Sequence, residues 1–107
     1  MPYRVDITKR AERDLEQPYL TIAANSSKQA SIWFNGLQRA VLSLDEHPAR
    51  GAPIPDGAKL RHLLYGRKGH RYRIIYAIDE SSSIVTVLHI CHGARDAVQP
   101  NDPDIKP

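Results

Sequence analysis

Leu60-Arg61-His62-Leu63-Leu64-Tyr65, then Arg71-Tyr72-Arg73-Ile74-Ile75-Tyr76-Ala77-Ile78, then Ile84-Val85-Thr86-Val87-Leu88-His89-Ile90-Cys91 form the stretch that decides the fold. Each run is short, rich in β-branched and aromatic side chains, and bounded by turn residues, which predicts three consecutive strands. Gly66-Arg67-Lys68-Gly69 predicts a hairpin connection, and Asp79 to Ser83 the next turn. Side chains alternate across a strand, so Tyr72, Ile74, Tyr76 and Ile78 share one face, predicted to pack under helices. Arg71, Arg73, Ile75 and Ala77 share the other, and Arg73 is expected to project from an uncovered surface.

The helices lie upstream. Tyr3-Arg4-Val5-Asp6-Ile7 alternates apolar and polar residues and predicts a first strand. Thr8 is positioned to cap a helix carrying Ala11, Leu15, Tyr19 and Ile22, with a kink or break expected at Pro18. Ser26 followed by Gln29 is a capping-box pattern. Ala30, Trp33, Phe34, Leu37, Ala40, Val41 and Leu44 then hold a helical stripe that ends before Pro48. His47 to Lys59, with Pro48, Pro53, Pro55, Gly51 and Gly57, is expected to be a connecting loop. The predicted architecture is α+β, a β-α-α-β-β-β sandwich in which a helical hairpin covers one face of a mainly antiparallel four-stranded sheet.

At 107 residues and 41% hydrophobic, the chain is one domain with a genuine core, too short for a two-domain enzyme or a large barrel. The domain is expected over 1–96 and a polar, Pro/Asp-rich tail over 97–107, which has little apolar content to repay ordering. A lone Cys91 excludes an internal disulfide framework, and neither a signal peptide nor a membrane-length apolar run is visible. A cytoplasmic setting without membrane partners is expected.

The net charge of +3 is unevenly distributed. Lys59 to Tyr76 holds six of the chain's 15 basic residues (Lys59, Arg61, Arg67, Lys68, Arg71 and Arg73) and none of its 12 acidic ones, leaving nine basic against twelve acidic elsewhere. Arginine holds phosphate through a rigid two-point fork, and interleaved tyrosine and histidine can stack on unpaired bases. Arg73, Arg95, His92 and Arg61 are the candidates to converge on one cationic sheet face, although an ion-paired or solvated Arg73 satisfies the same periodicity. His89 and His92, three apart on a strand, face opposite sides without a bulge, which argues against a metal site. Neither a nucleotide-binding loop nor a hydrolase elbow occurs.

These blocks together, from Tyr3-Arg4-Val5 with Ala11…Asp14-Leu15 through Tyr72-Arg73-Ile74-Ile75-Tyr76 to His89-Ile90-Cys91-His92-Gly93-Ala94-Arg95-Asp96, resemble the RelE/ParE superfamily. Its members are toxins of bacterial type II toxin–antitoxin pairs, also called plasmid-stabilisation proteins. The resemblance implies the same β-α-α-β-β-β sandwich, a cognate antitoxin partner and no cofactor. RelE-like members act as mRNA interferases: metal-independent endoribonucleases that cut messenger RNA in the ribosomal decoding site. That branch implies catalytic Arg73 and Arg95, with His92 as acid or base. Arg61 stands at a strand-lysine position and Leu63 at the next, and Arg61 with Lys59, Arg67, Lys68 and Arg71 is expected to hold RNA. No aromatic follows Arg95 as it does in many RNA-cutting members, which leaves the catalytic set incomplete unless His92 and His89 substitute, as in histidine-using relatives. The His-Gly-Ala-Arg-Asp ending equally resembles the ParE branch, which inhibits DNA gyrase without chemistry.

Overall fold

Strand Arg4–Ile7 (β1) leads straight into a helix because Thr8 acts on both sides of the junction. Its hydroxyl oxygen accepts the Ala11 N–H at 3.1 Å, capping helix Lys9–Asp14 (α1), and donates to the Leu88 carbonyl at 3.2 Å. The computed structural model describes residues 2–55, 59–66 and 71–92. Helix Glu16–Asn25 (α2) follows after a break at Leu15. The break expected at Pro18 is thus three residues early, because Pro18 falls in the first turn of α2, where a helix needs no backbone donor.

Ser26 caps helix Ser27–Leu42 (α3) by accepting the Gln29 N–H at 3.1 Å. Its own N–H closes α2 on the Ile22 carbonyl, so only the serine half of the predicted capping box is used in this way. The α3 stripe buries Ala30, Leu37 and Val41, with Leu44 following in a tight turn. Phe34 stays 36% exposed and meets Tyr19 of α2 edge-on, with ring centroids 6.0 Å apart.

The remaining strands are Ala52–Pro53 (β2), Leu60–Tyr65 (β3), Tyr72–Asp79 (β4) and Ile84–His92 (β5). The sheet therefore has five strands rather than four, in the order β1-β5-β4-β3-β2, with β1 parallel to β5 and the other pairs antiparallel. The extra strand lies inside the predicted 47–59 loop, where two residues pair with Arg61 and His62. Proline at such an edge costs no ladder bond if its nitrogen faces outward.

Tyr72, Ile74, Tyr76 and Ile78 pack toward the helices with Leu37, Val41 and Leu44, as β4 periodicity predicts. The opposite face is not bare. Leu60, Ile75 and Leu88 form a second buried cluster there, joined by Ile54, Ala77 and Cys91. The Gly66-to-Gly69 hairpin beyond Gly66 and the 97–107 tail lie outside the described residues.

Candidate functional site on the second sheet face

Which side chains share this face depends on one irregularity. Ile75 pairs with His89, but the next residue, Tyr76, pairs with Val87, so Leu88 is an extra residue in β5. Such a bulge interrupts alternation. Val85 and Val87 point to the helices, Leu88 to the second face, and Ile90 back to the helices. Residues directly opposite in an antiparallel pair share a face. His89, opposite Ile75, and Cys91, opposite Arg73, therefore lie on the second face.

Across β3, β4 and β5, that face carries the row Leu64, Arg73, Cys91 and beside it the row His62, Ile75, His89. Arg73 is half-buried in the row next to the two histidines, which flank Ile75. Burial first, and then the Arg73 guanidinium, hold the His62 imidazole below the usual histidine range. Its Nδ1 is buried and has no hydrogen-bond partner among the described residues. His62 is neutral at neutral pH for both reasons.

His89 is held from outside the sheet. Its Nδ1 lies 2.6 Å from Asp14 Oδ2, at the end of α1. The same oxygen accepts the Ile90 N–H at 2.9 Å, and Arg10 Nε approaches the other carboxylate oxygen at 3.4 Å. β1 pairs with β5 only as far as Val87, and Asp14 takes over beyond it, satisfying an edge N–H that the parallel strand has left behind.

Two sequence candidates do not join this group. Arg61 is opposite Tyr76, on the helix side, and its guanidinium donates to the carbonyls of Gly51 at 2.7 Å and Ala49 at 3.3 Å. Its strand neighbours His62 and Leu64, rather than Arg61 and Leu63, face the Arg73 side. His92 is opposite Tyr72, again on the helix side, and its ring stacks at a tilt on Tyr72 with centroids 4.8 Å apart. Tyr72 in turn meets Trp33 at 5.2 Å. Strict alternation from Val85 would have put His92 on the Arg73 face, and the Leu88 bulge inverts it. The convergence of Arg73, His92 and Arg61 is thus replaced by Arg73 with His62 and His89. Lys59 and Arg71 are exposed at the entries to β3 and β4. Arg67, Lys68 and Arg95 lie outside the described residues.

Residues 5–97 match the family model described as the ParE toxin of the type II toxin-antitoxin system, parDE. The chain belongs to this ParE toxin family. Among curated proteins no sequence matches it. The toxin is similar to a structure of the RelBE2 toxin–antitoxin complex from Mycobacterium tuberculosis, at 27% identity over 87% of this chain and 100% of that one, with a TM-score of 0.59. Its fold is also similar to an E. coli RelE mutant solved in the free state, at 15% identity, with 85% of this chain and 83% of that one covered and a TM-score of 0.55. Both likenesses agree with the sandwich of helices on a mixed sheet.

A second surface of the toxin is apolar. Between the α1–α2 arm and α3 runs a groove of about 600 Å³, lined by Ile7, Leu15, Tyr19, Phe34, Leu37 and Val41, with Glu12 and Glu16 among its polar residues. It lies on the helix side, away from Arg73. Among the described residues, no helix is long and apolar enough to cross a membrane.

Proposed function

We propose that this type II toxin inhibits growth by cutting messenger RNA in the ribosome without a metal ion. The observation that supports this reading most directly is Arg73, half-buried on one sheet face with His62 and His89 on the flanking strands. Cleavage needs a cation at the scissile phosphate and a base at the neighbouring ribose. The base removes the 2′-hydroxyl proton, the 2′-oxygen bonds to phosphorus, and the bond from phosphorus to the 5′-oxygen breaks. The products are a 2′,3′-cyclic phosphate and a 5′-hydroxyl, the leaving oxygen taking a proton from solvent. Charge gathers on the phosphoryl oxygens in the transition state, and a fixed guanidinium stabilises it there. Arg73 takes this role together with Arg95, and Lys59, Arg67, Lys68 and Arg71 supply the cationic margin for RNA. A cognate antitoxin neutralises the protein, and the apolar groove along α3 offers it a site on the helix side.

A second reading is inhibition of DNA gyrase by binding alone, which is what the resemblance to ParE toxins implies for a chain matching that family model over residues 5–97. Expression of the toxin without antitoxin separates the two. Loss of translated messages with normal plasmid supercoiling is the expected result. Gyrase-linked DNA breaks with messages intact would overturn cleavage in favour of the second reading.

A further inference from the structure

The Asp14 carboxylate selects one tautomer of the neutral His89 ring. Oδ2 accepts the Ile90 N–H at 2.9 Å, so the atom at this point must be an acceptor. An ionised carboxylate only accepts, and His89 Nδ1 stands 2.6 Å from the same oxygen. Nδ1 must therefore carry the proton. In the neutral ring the lone pair is then on Nε2, the nitrogen that Asp14 does not engage. The Leu88 bulge puts His89 on the Arg73 face, in the next same-face row and diagonal to Arg73.

We propose that His89 is the general base of the Arg73 face and that Asp14 is its positioning residue. This assignment rests on the cleavage reading above. His89 Nε2 accepts the 2′-hydroxyl proton, and the imidazolium so formed is stabilised by the Asp14 carboxylate across the Nδ1–H bond. The proton later passes from Nε2 to solvent, which restores the starting tautomer. His62 differs in kind, because its position beside Arg73 opposes a second positive charge, whereas His89 has an anion behind it. Asp14 is on the first helix, 75 residues away in sequence, and reaches the site only through the gap that β1 leaves along β5.

Three variants of the full chain test the proposal, with two readouts. Asp14→Asn can keep an oxygen facing both the Ile90 N–H and His89 Nδ1 while removing the charge, so it preserves the tautomer and weakens imidazolium stabilisation. Asp14→Ala removes the acceptor as well, and its fold is checked by near-UV circular dichroism. His89→Gln removes the base. Nitrogen-15 NMR of the labelled imidazole is expected to show Nδ1 protonated and Nε2 bare in the native toxin and in Asp14→Asn, with this pattern lost in Asp14→Ala. On ribosomes programmed with messenger RNA, Asp14→Asn is expected to lower kcat about ten- to a hundredfold with KM unchanged. His89→Gln is expected to lower kcat about a hundredfold or more. A native His89 protonated on Nε2 would overturn the proposal, as would native kcat in both Asp14→Asn and His89→Gln. If the native toxin leaves ribosome-bound RNA intact, the cleavage reading and the base assignment fall together. The Asp14-held tautomer is then judged by the NMR alone.

Discussion

The Tyr76 hydroxyl donates to the Pro48 carbonyl across 2.6 Å, joining the middle of the sheet to the turn that follows the last helix. The same oxygen accepts the Gly51 N–H at 3.0 Å, and Tyr76 is fully buried. Burial pushes its phenol above the usual tyrosine range, so the hydroxyl stays protonated and able to donate. Gly51 allows the close approach: a Cβ there would stand 2.6 Å from this hydroxyl oxygen and 2.6 Å from the His62 carbonyl oxygen. Arg61 completes the junction by donating to the Gly51 carbonyl.

Replacing Tyr76 with Phe removes one atom and leaves the Gly51 N–H and Pro48 carbonyl without this partner. An unmade buried hydrogen bond costs about 1–3 kcal/mol. Urea unfolding of Tyr76→Phe is expected to show a loss in that range. An unchanged midpoint would mean that the hydroxyl adds nothing to holding the 48–53 segment.

Arg61 and Arg73 are both cations of the basic stretch, yet their variants should part company. Arg61→Ala loses the bonds to Gly51 and Ala49 and is expected to lose about 1 kcal/mol of stability while remaining toxic. Arg73→Ala is expected to lose toxicity while its unfolding changes less. Growth arrest and thermal melting, measured side by side, check the pair. Equal toxicity in the two variants would contradict the separation by face.

His62 gives the stability a pH dependence of known sign. Burial and the Arg73 guanidinium depress its folded pKa below the ordinary histidine value of 6.5, so on acidification the unfolded chain takes up the proton first. The contribution is complete above about pH 6.5 and is lost as pH falls through that value toward the lower folded one. Unfolding midpoints of the native chain and of His62→Gln, compared between about pH 7.5 and 5.5, are expected to show a shallower decline in the variant. Parallel curves would remove His62 from the account.

Phe34 reports on the apolar groove. It is partly exposed and contacts Tyr19 at its edge, so Phe34→Glu is expected to fold, with a cost of about 1 kcal/mol from lost aromatic contact. In cells that co-express the antitoxin, this variant is expected to escape neutralisation and arrest growth. Full neutralisation of a stable Phe34→Glu would move the antitoxin off this groove.

Much of the fold was legible in local pattern. The period-two alternation of Tyr72 to Ile78 identified the buried face of β4, and the helical spacing from Ala30 to Leu44 identified the stripe that covers it. Both patterns express burial along a single element, and burial is written in residue type. Thr8 and Ser26 were likewise readable as caps, because a cap acts within three residues. Pro18 misled the same approach, since whether a proline breaks a helix depends on where the helix starts, and that start is set by the turn at Leu15.

The site was legible only in part. Sequence alone determined the α+β sandwich and four of its five strands, the concentration of charge on the β3–β4 hairpin, and the face on which Arg73 sits. Tertiary structure decided its companions. The Leu88 bulge exists only as a mismatch between two paired strands, yet it sends His92 to the helix side and His89 to the Arg73 side. Asp14 meets His89 across 75 residues because β1 ends while β5 continues, leaving an edge N–H that a carboxylate at the end of α1 can accept. Register and strand length are properties of pairs of elements. No periodicity within one element can encode them.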